Sequence, residues 1–431
     1  MNKPKGTRDF LPEDMRNLLK LEEKFRKISS LYGFEEIRTP TFESTALFQR
    51  GVGDSTDIVR KEMFQVISRA NMDKYAKGEY DLVKKGFTLK PEGTAGIVRS
   101  FIENKMYAQT LPARLRYISN FFRNEQPQAG RFREFTQFGL EILGSQSAST
   151  DADIITCVDH FFKSLGLKNY KIEINSIGCP KCRPAYHKTL IEFLNKNYDG
   201  LCPDCHQRMK TNPMRVLDCK NKMCQETLKD HPIILDYLCD ECSDHFSKVQ
   251  SILKANEVDF VINPKIVRGL DYYTKTAFEV SSTDIGAQSA VGGGGRYNNL
   301  VESLGGPETP AVGCAIGADR LMMMCQAQNI FDSEIKREAI LIYPLDIKFE
   351  HEVYKLQNKL RYEGFSVSTD SITKSFKATM KYADKKNFKF IVFIGEDEIN
   401  NSYYTIKNLD TGEQEKLDFN QLVNFLGEKY E

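Results

Sequence analysis

Arg123 and Glu125 sit two residues apart, and a short way on so do Gln137, Gly139 and Glu141. In an extended chain that spacing puts side chains on one face, so each set forms a polar row. A guanidinium held in such a row grips phosphate oxygens in a forked geometry. The glycine between Gln137 and Glu141 leaves space for a small ligand between two polar groups, and Arg131 and Arg133 add cations across the loop Gln126–Gly130. The same rows also fit the solvated face of an antiparallel sheet, and spacing alone leaves both readings open. Arg268-Gly-Leu-Asp-Tyr-Tyr273 brings one cation, one carboxylate and two phenols into a short stretch. That mixture either holds a small polar ligand while neutralising developing phosphate charge, or is a turn with two core tyrosines. The run Gly292–Gly295 is not followed by Gly-Lys-Ser/Thr, so the usual phosphate loop is absent. These glycines let backbone approach a ligand or shape a turn. Neither a Ser-His-Asp set nor a zinc-protease motif stands out, and the histidines form no ligand pair at helical spacing. Histidine-based catalysis is not expected.

Eight of the eleven cysteines lie between Cys179 and Cys242, as the pairs Cys179/Cys182, Cys202/Cys205, Cys219/Cys224 and Cys239/Cys242. Three pairs have the two-residue gap that lets both thiolates reach one tetrahedral ion. The spacing predicts structural zinc, one or two ions, which would stabilise a small segment with little core of its own. A lone site or simple thiol burial is the alternative.

Several elements must position these groups. Leu18, Leu21, Phe25, Ile28 and Tyr32 recur at helical steps before Gly33, predicting a long first helix. Phe34–Pro40 alternates apolar and charged residues and ends on proline, as an edge or interface strand does. Leu115–Glu125 and Phe132–Gly144 read as antiparallel strands about the Gln126–Gly130 loop. The cysteine-rich stretch interrupts this pattern, which resumes near Phe278 and continues to an apolar helix from Asp319 to Met324. A charged linker, Asp332–Glu338, precedes Ile340–Pro344, Phe388–Gly395 and Tyr403–Asp410, which alternate with helical stretches as in a small α/β domain. The expected organisation is an α+β domain with an antiparallel sheet (1–170 and 256–328), split by a mainly helical cysteine-rich insertion (171–255), then a C-terminal α/β domain (336–431).

The bulk properties agree with a modular globular chain: 431 residues, 41% hydrophobic and 28% charged. A net charge of +1 excludes a uniformly basic nucleic-acid coat, leaving phosphate binding to local clusters. No stretch reaches the roughly 18 to 20 apolar residues needed to span a bilayer, and Met1–Asp14 has no apolar signal core. A cytoplasmic protein without a membrane association is expected, a compartment in which cysteines serve as thiols or ligands.

The segments together resemble the class II aminoacyl-tRNA synthetases, and within them the histidyl-tRNA synthetase family, across nearly the whole chain. Lys5-Gly-Thr-Arg-Asp9 lies near the start. Glu36-Ile-Arg-Thr-Pro40 matches motif 1, Phe122-Arg-Asn-Glu125 with the loop to Phe135 matches motif 2, and Gly317-Ala-Asp-Arg320 matches motif 3. Arg268–Tyr273 and Gly293-Gly-Gly-Arg-Tyr297 resemble segments specific to the histidine enzymes. The resemblance implies that ATP binds bent on the sheet. Arg123 would lie on the α-phosphate and Arg320 near the γ-phosphate, Glu125 and Arg131 would complete the ATP site, and Mg²⁺ would neutralise further charge. It assigns Arg268 to the adenylation step beside Arg123. L-histidine would be held by Glu92, Gly93, Thr94, Gln137, Glu141, Tyr272 and Tyr273. It further implies a homodimer, histidine tRNA as partner, an insertion that supports tRNA contact, and a C-terminal domain that reads the anticodon. In that domain Lys374, Lys377, Lys381, Lys385 and Lys386 with Phe376 and Tyr382 suit phosphates and unstacked bases, though a solvated helix face explains several of the lysines equally well. Asp319 departs from the glutamate common before the motif 3 arginine. The rival reading is a catalytically silent synthetase-like regulatory subunit of the histidine pathway's phosphoribosyltransferase. Such paralogues typically lack the anticodon-binding domain, whereas this chain has that domain and keeps Arg123, Arg268 and the paired tyrosines. A zinc-containing RNA-binding module would leave the Gln137/Glu141 row without a purpose.

Overall fold

Leu18, Leu21, Phe25 and Ile28 form the buried stripe of the Pro12–Leu31 helix in a computed structural model of the chain. The structure describes residues 1–53, 56–268, 270–286, 289–331, 340–369 and 374–430. Pro12 stands in the first turn of this helix, where its missing N–H would have no helical partner. Gly33, just past the end, takes a φ of +76° that side chains disfavour. Phe25 stacks on Phe138 at 5.1 Å and meets Phe161 edge-on at 5.4 Å. The first helix, the sheet and the Ala148–Ser164 helix therefore share one core, in which each large apolar side chain contributes about 1.5–3 kcal/mol.

The chain folds as two units, Met1–Phe331 and Asp332–Glu431. Strands of the first are β1 (Glu35–Glu36), β2 (Phe42–Ser44), β3 (Gln65–Val66), β4 (Phe87–Leu89), β5 (Ala113–Phe122) and β6 (Glu134–Leu143). They continue with β7 (Lys171–Ser176), β8 (Phe260–Ile262), β9 (Thr274–Ser281), β10 (Ala290–Arg296) and β11 (Ala311–Gly317). Eight of them make one sheet in the order β1-β5-β6-β11-β10-β9-β7-β8, while β2, β4 and β3 make a small separate sheet. The expected hairpin is present: β5 and β6 pair antiparallel along their whole length, with Ser119 opposite Gln137 and Leu115 opposite Glu141. As expected of Phe34–Pro40, β1 lies at the sheet edge, parallel to β5. Regular pairing stops at Phe122, so Arg123 and Glu125, expected on the strand, lie just beyond it; the Arg123 N–H still donates to the Arg133 carbonyl at 2.9 Å.

Gly292–Gly295 neither shape a turn nor form a loop: they are the middle of β10, inside the sheet between β11 and β9. Close neighbours explain the glycines. A Cβ on Gly294 would lie 2.0 Å from the Gly313 carbonyl oxygen, and one on Gly295 would lie 2.4 Å from that of Thr276. Gly294→Ala must push these backbones apart, and we expect a stability loss of about 1–3 kcal/mol, read as a lower Tm in a thermal melt. An unchanged Tm would contradict this packing.

Two stretches expected in the cysteine-rich insertion belong to the sheet unit. Lys171–Ser176 is β7, paired antiparallel with β9 and parallel with β8. The Asp240–Ala255 helix buries Phe246, Val249 and Leu253 in the core beneath the sheet. The insertion is thus narrower than 171–255, running from about Ile177 to Cys239. It is mainly helical, with helices Arg183–Lys196, Pro203–Thr211 and Lys222–Thr227, and its Tyr186, Leu190, Leu194 and Val216 share a core with Ile266, Tyr273 and Ala277 of the sheet unit. The expected helix at Asp319–Met324 spans Ala318–Ala327.

The second unit has strands β12 (Ile340–Pro344), β13 (Val367–Ser368), β14 (Phe390–Ile394), β15 (Tyr404–Asn408) and β16 (Gln414–Leu417), ordered β13-β12-β14-β15-β16. β12 runs parallel to β13 and β14, and β15 and β16 follow antiparallel. Helices Glu350–Tyr362 and Phe419–Tyr430 bury Val353, Leu356, Leu360, Leu422 and Leu426 against Ile340, Ile342 and Val392. This is the small α/β domain the sequence predicts. The linker Asp332–Glu338 lies outside the described residues. No described helix is long and apolar enough to cross a membrane.

Candidate active site

A cavity of about 960 Å³ opens on the first unit. Glu92, Gly93 and Thr94 line it from the start of the Thr94–Glu103 helix, Arg123, Glu125 and Arg131 from the β5–β6 connection, and Gln137 from β6. Arg268, Tyr272 and Tyr273 line it from the segment before β9, and Asp319 and Arg320 from the start of the Ala318–Ala327 helix. All the residues expected to hold ATP, and all but one of those expected to hold the amino acid, thus face one space. The exception is Glu141, which is 0% exposed beneath the floor and connects to the cavity through Thr94. Its carboxylate accepts hydrogen bonds from Thr94 Oγ1 at 2.8 Å and from the Tyr297 hydroxyl.

One end of the cavity is cationic. Arg123 Nε donates to the Pro91 carbonyl at 2.8 Å, which aims its remaining nitrogens inward, and its guanidinium lies 5.3 Å from the Phe135 ring centroid. Arg131 pairs with Glu125 at 3.1 Å. Arg320 Nε donates to the Gly130 carbonyl at 3.2 Å and Nη1 to the Ala290 carbonyl. Burial, with Arg131 nearby, lowers the pKa of Arg320, so an arriving polyanion would relieve a real cost. Arg268 Nη1 lies 3.3 Å from Glu279, and its guanidinium is 5.7 Å from the Tyr273 centroid. Fixed, converging guanidinium groups of this kind suit a polyphosphate whose charge moves during reaction.

The other end is built around buried carboxylates. Glu92 accepts hydrogen bonds from the backbone N–H groups of Thr94 (2.9 Å) and Ala95 (2.8 Å), so it also caps the helix it precedes. Burial nonetheless raises its pKa. Glu141 is pushed up to about 8 by burial, against the hydrogen bonds from Tyr297 and Thr94 and with help from the charge of Glu92. Two acids held in so dry a floor favour a cationic or hydrogen-bond-donating ligand above them. Gln137 Oε1 is buried there with no hydrogen-bond partner among the described residues. The Tyr272 and Tyr273 rings lie 4.7 Å apart and wall this end.

A family model described as "Histidyl-tRNA synthetase" matches residues 6–321, and one described as "Anticodon binding domain" matches residues 339–429. A protein of Clostridioides difficile named "Histidine--tRNA ligase" is 47% identical over 427 residues, 99% of each chain. The chain belongs to the histidyl-tRNA synthetase family. A Caldanaerobacter subterraneus protein of the same name is 46% identical over 96% of each chain. The solved structure of the apo Staphylococcus aureus histidyl-tRNA synthetase superposes with a TM-score of 0.81 at 32% identity, covering 99% of each chain.

Some expected roles change once the family motifs are seen folded. The space beside Gly139 is filled from within the sheet: a Cβ there would lie 2.0 Å from Cζ of Tyr117, the residue opposite it on β5. Gly93 clears the same ring from the other side, where a Cβ would lie 2.4 Å from Tyr117 Cζ. Arg133 does not line the cavity; it holds the loop, with Nε donating to the Glu125 carbonyl at 3.3 Å and its backbone N–H to the Gly6 carbonyl at 2.7 Å. Asp319 of motif 3 pairs with Arg8 at 2.9 Å, which ties Lys5–Asp9 to the site. Its burial raises its pKa despite Arg8.

Sequence reasoning assigned no role to Glu62, Tyr117, Tyr297 or Glu279. Tyr297 was visible inside the Gly293–Tyr297 motif, but nothing in one strand tells which acid its hydroxyl meets. Arg296 beside it is fully buried, hydrogen-bonded to Asp151 and to the Ser145 carbonyl at 2.7 Å, and so fixes the backbone that aims Tyr297.

The eight clustered cysteines converge as two sets, Cys179/Cys182/Cys239/Cys242 and Cys202/Cys205/Cys219/Cys224, the sulfurs of each lying within 4.8 Å of one another. The first pair therefore meets the fourth and the second meets the third.

Proposed function

We propose that the chain activates L-histidine with ATP to histidyl-adenylate and pyrophosphate, then transfers histidine to the 3′ end of histidine tRNA. One observation carries this reading: a single cavity has fixed arginines at one end and a dry floor of carboxylates and phenols at the other. An amino acid bound at that floor points its carboxylate at a nucleotide bound between the arginines. Its carboxylate oxygen attacks the α-phosphorus, the bond to the pyrophosphate oxygen breaks, and pyrophosphate leaves. Arg123 neutralises the α-phosphate, Arg131 and Arg320 the β,γ end, and Arg268 the charge that grows during displacement. Glu92, Thr94, Gln137, Glu141, Tyr272 and Tyr273 recognise the amino and imidazole groups. Analogues lacking the matching donors leave these buried groups unpaired and are rejected.

Magnesium fits the phosphate end. Glu62 faces the same cavity as Glu125, and burial together with the Glu125 charge raises its pKa. A divalent cation held by these two acids would relieve that strain and shield phosphate charge. In the second step the terminal ribose hydroxyl of tRNA attacks the activated carbonyl and AMP leaves.

The C-terminal unit is assigned to the anticodon. Lys374, Lys377, Lys381, Lys385 and Lys386 are all exposed, with Phe376 at 52% exposure among them. Exposed lysines around an exposed aromatic suit phosphates and an unstacked base. The insertion supports the tRNA acceptor arm and binds structural zinc through its cysteines. The edge position of β1 supports a homodimer contact, and the protein acts in the cytoplasm. Incubation with ATP, radiolabelled histidine and histidine tRNA should give acid-precipitable label on that tRNA and none on a non-cognate one. Label on neither, with folded protein and magnesium, would contradict the assignment.

A further inference from the structure

We infer that the two cysteine sets are separate zinc centres, and that the inner one, Cys202/Cys205/Cys219/Cys224, shapes the substrate cavity. The second part rests on the reading of that cavity as the ATP and histidine site.

The sulfur geometry matches a tetrahedral ion. Zn–S bonds of about 2.3 Å in a tetrahedron put the sulfurs about 3.8 Å apart. Cys202 and Cys219 lie 3.8 Å apart, Cys179 and Cys182 3.6 Å, and Cys179 and Cys239 3.9 Å. A disulfide would need roughly 2.05 Å, and all eight thiols are free. Soft tetrathiolate sites select zinc among redox-silent ions.

The centres differ in what they hold. The outer set joins the segment after β7 to the start of the Asp240–Ala255 helix, closing the neck where the insertion leaves and rejoins the sheet. The inner set pins the elements that touch the cavity. Cys202 and Cys205 sit at the start of the Pro203–Thr211 helix, and Cys219 directly follows the Pro213–Asp218 turn. Arg208 and Arg215 on those two elements approach Asp57 at 3.9 and 3.5 Å. Between them Asn212 donates to Asp271 at 2.9 Å, beside Tyr272. Cys202, Cys219 and Lys220 themselves line the cavity. Asp57 lines the same cavity as Glu62, Arg123 and Arg131, which places this junction at the phosphate end. An ion in the inner centre therefore fixes the wall nearest the nucleotide. Without it, the two elements bearing Arg208 and Arg215 lose their common anchor.

Full-length protein purified without chelator should contain two zinc ions per chain, and Cys219→Ser with Cys224→Ser should leave one. In histidine-dependent pyrophosphate exchange, that variant should raise KM for ATP on the order of tenfold or more, with a smaller change in kcat. Asp57→Asn should keep both ions yet raise KM for ATP in the same direction, so the test survives if the cysteine variant fails to fold. Active protein with well under one zinc per chain would overturn the metal assignment. Unchanged KM for ATP in Asp57→Asn, or in a folded one-zinc variant, would overturn the coupling, as would a rise confined to KM for histidine. Wild-type protein that holds two zinc ions but exchanges nothing would instead overturn the functional reading and leave the centres standing.

Discussion

Arg268→Ala slows histidyl-adenylate formation by roughly two to three orders of magnitude, while histidine affinity changes far less. The expectation follows from how the guanidinium is held. Nη1 is 3.3 Å from Glu279, Nε is buried with no hydrogen-bond partner among the described residues, and the group lies over Tyr273. It is oriented before substrate arrives, so the field it exerts on an oxygen gaining charge involves little reorganisation. Ground-state histidine carries the same carboxylate charge before and after the substitution, and the dry floor rather than Arg268 contacts its other end. A transition-state role lowers kcat, and a uniform binding role raises KM instead. Single-turnover adenylation measured beside equilibrium dialysis with histidine separates the two. Equal losses in rate and affinity would contradict the role given to Arg268.

Glu141→Gln lowers kcat/KM for histidine by about a hundredfold or more and also changes how stability depends on pH. In the folded protein burial raises Glu141 from 4.5 to about 8. A carboxylate whose folded pKa is raised contributes stability that is fully present below about 4.5 and is lost as pH rises through about 8. The Tm of the protein without substrates should fall across that window. Glutamine has no proton to lose there, so the variant should show a flatter Tm profile and a higher Tm than wild type at pH values above the window. Histidine binding has the opposite dependence. The ionised carboxylate is the better partner for a cationic group, so KM for histidine should decrease as pH rises toward 8 in the wild type and lose this trend in the variant. Thermal melts and initial rates over the same pH series measure both effects. A variant with wild-type KM for histidine and an unchanged Tm profile would remove Glu141 from recognition.

Periodicity exposed the elements whose burial follows side-chain spacing. Leu18, Leu21, Phe25 and Ile28 bury one helix stripe, and the alternation on either side of Gln126–Gly130 follows the β5–β6 hairpin. Gly292–Gly295 defeated that method because glycine has no side chain to alternate; the neighbouring strands crowd Gly294 and Gly295 through the Gly313 and Thr276 carbonyls, and Gly292 and Gly293 line the cavity. The gap at Gly139 was likewise ambiguous, since one strand cannot show that Tyr117 fills it from the next. The cysteine spacing marked ligand pairs but not which pairs meet, and the shift in composition masked the ordinary strand Lys171–Ser176 beside it. The residues that line the candidate cavity were mostly legible through family motifs. Glu62, Tyr117 and Glu279 were not, because they become site residues only when separate elements close around one cavity.

The most direct measurement is ATP–pyrophosphate exchange with each of the twenty amino acids, tRNA omitted. The account predicts exchange that depends on magnesium and on histidine alone. No exchange from folded protein with magnesium present would contradict it and favour a ligand-binding regulatory relative, while exchange driven by another amino acid would contradict the assignment of the floor around Glu92 and Glu141.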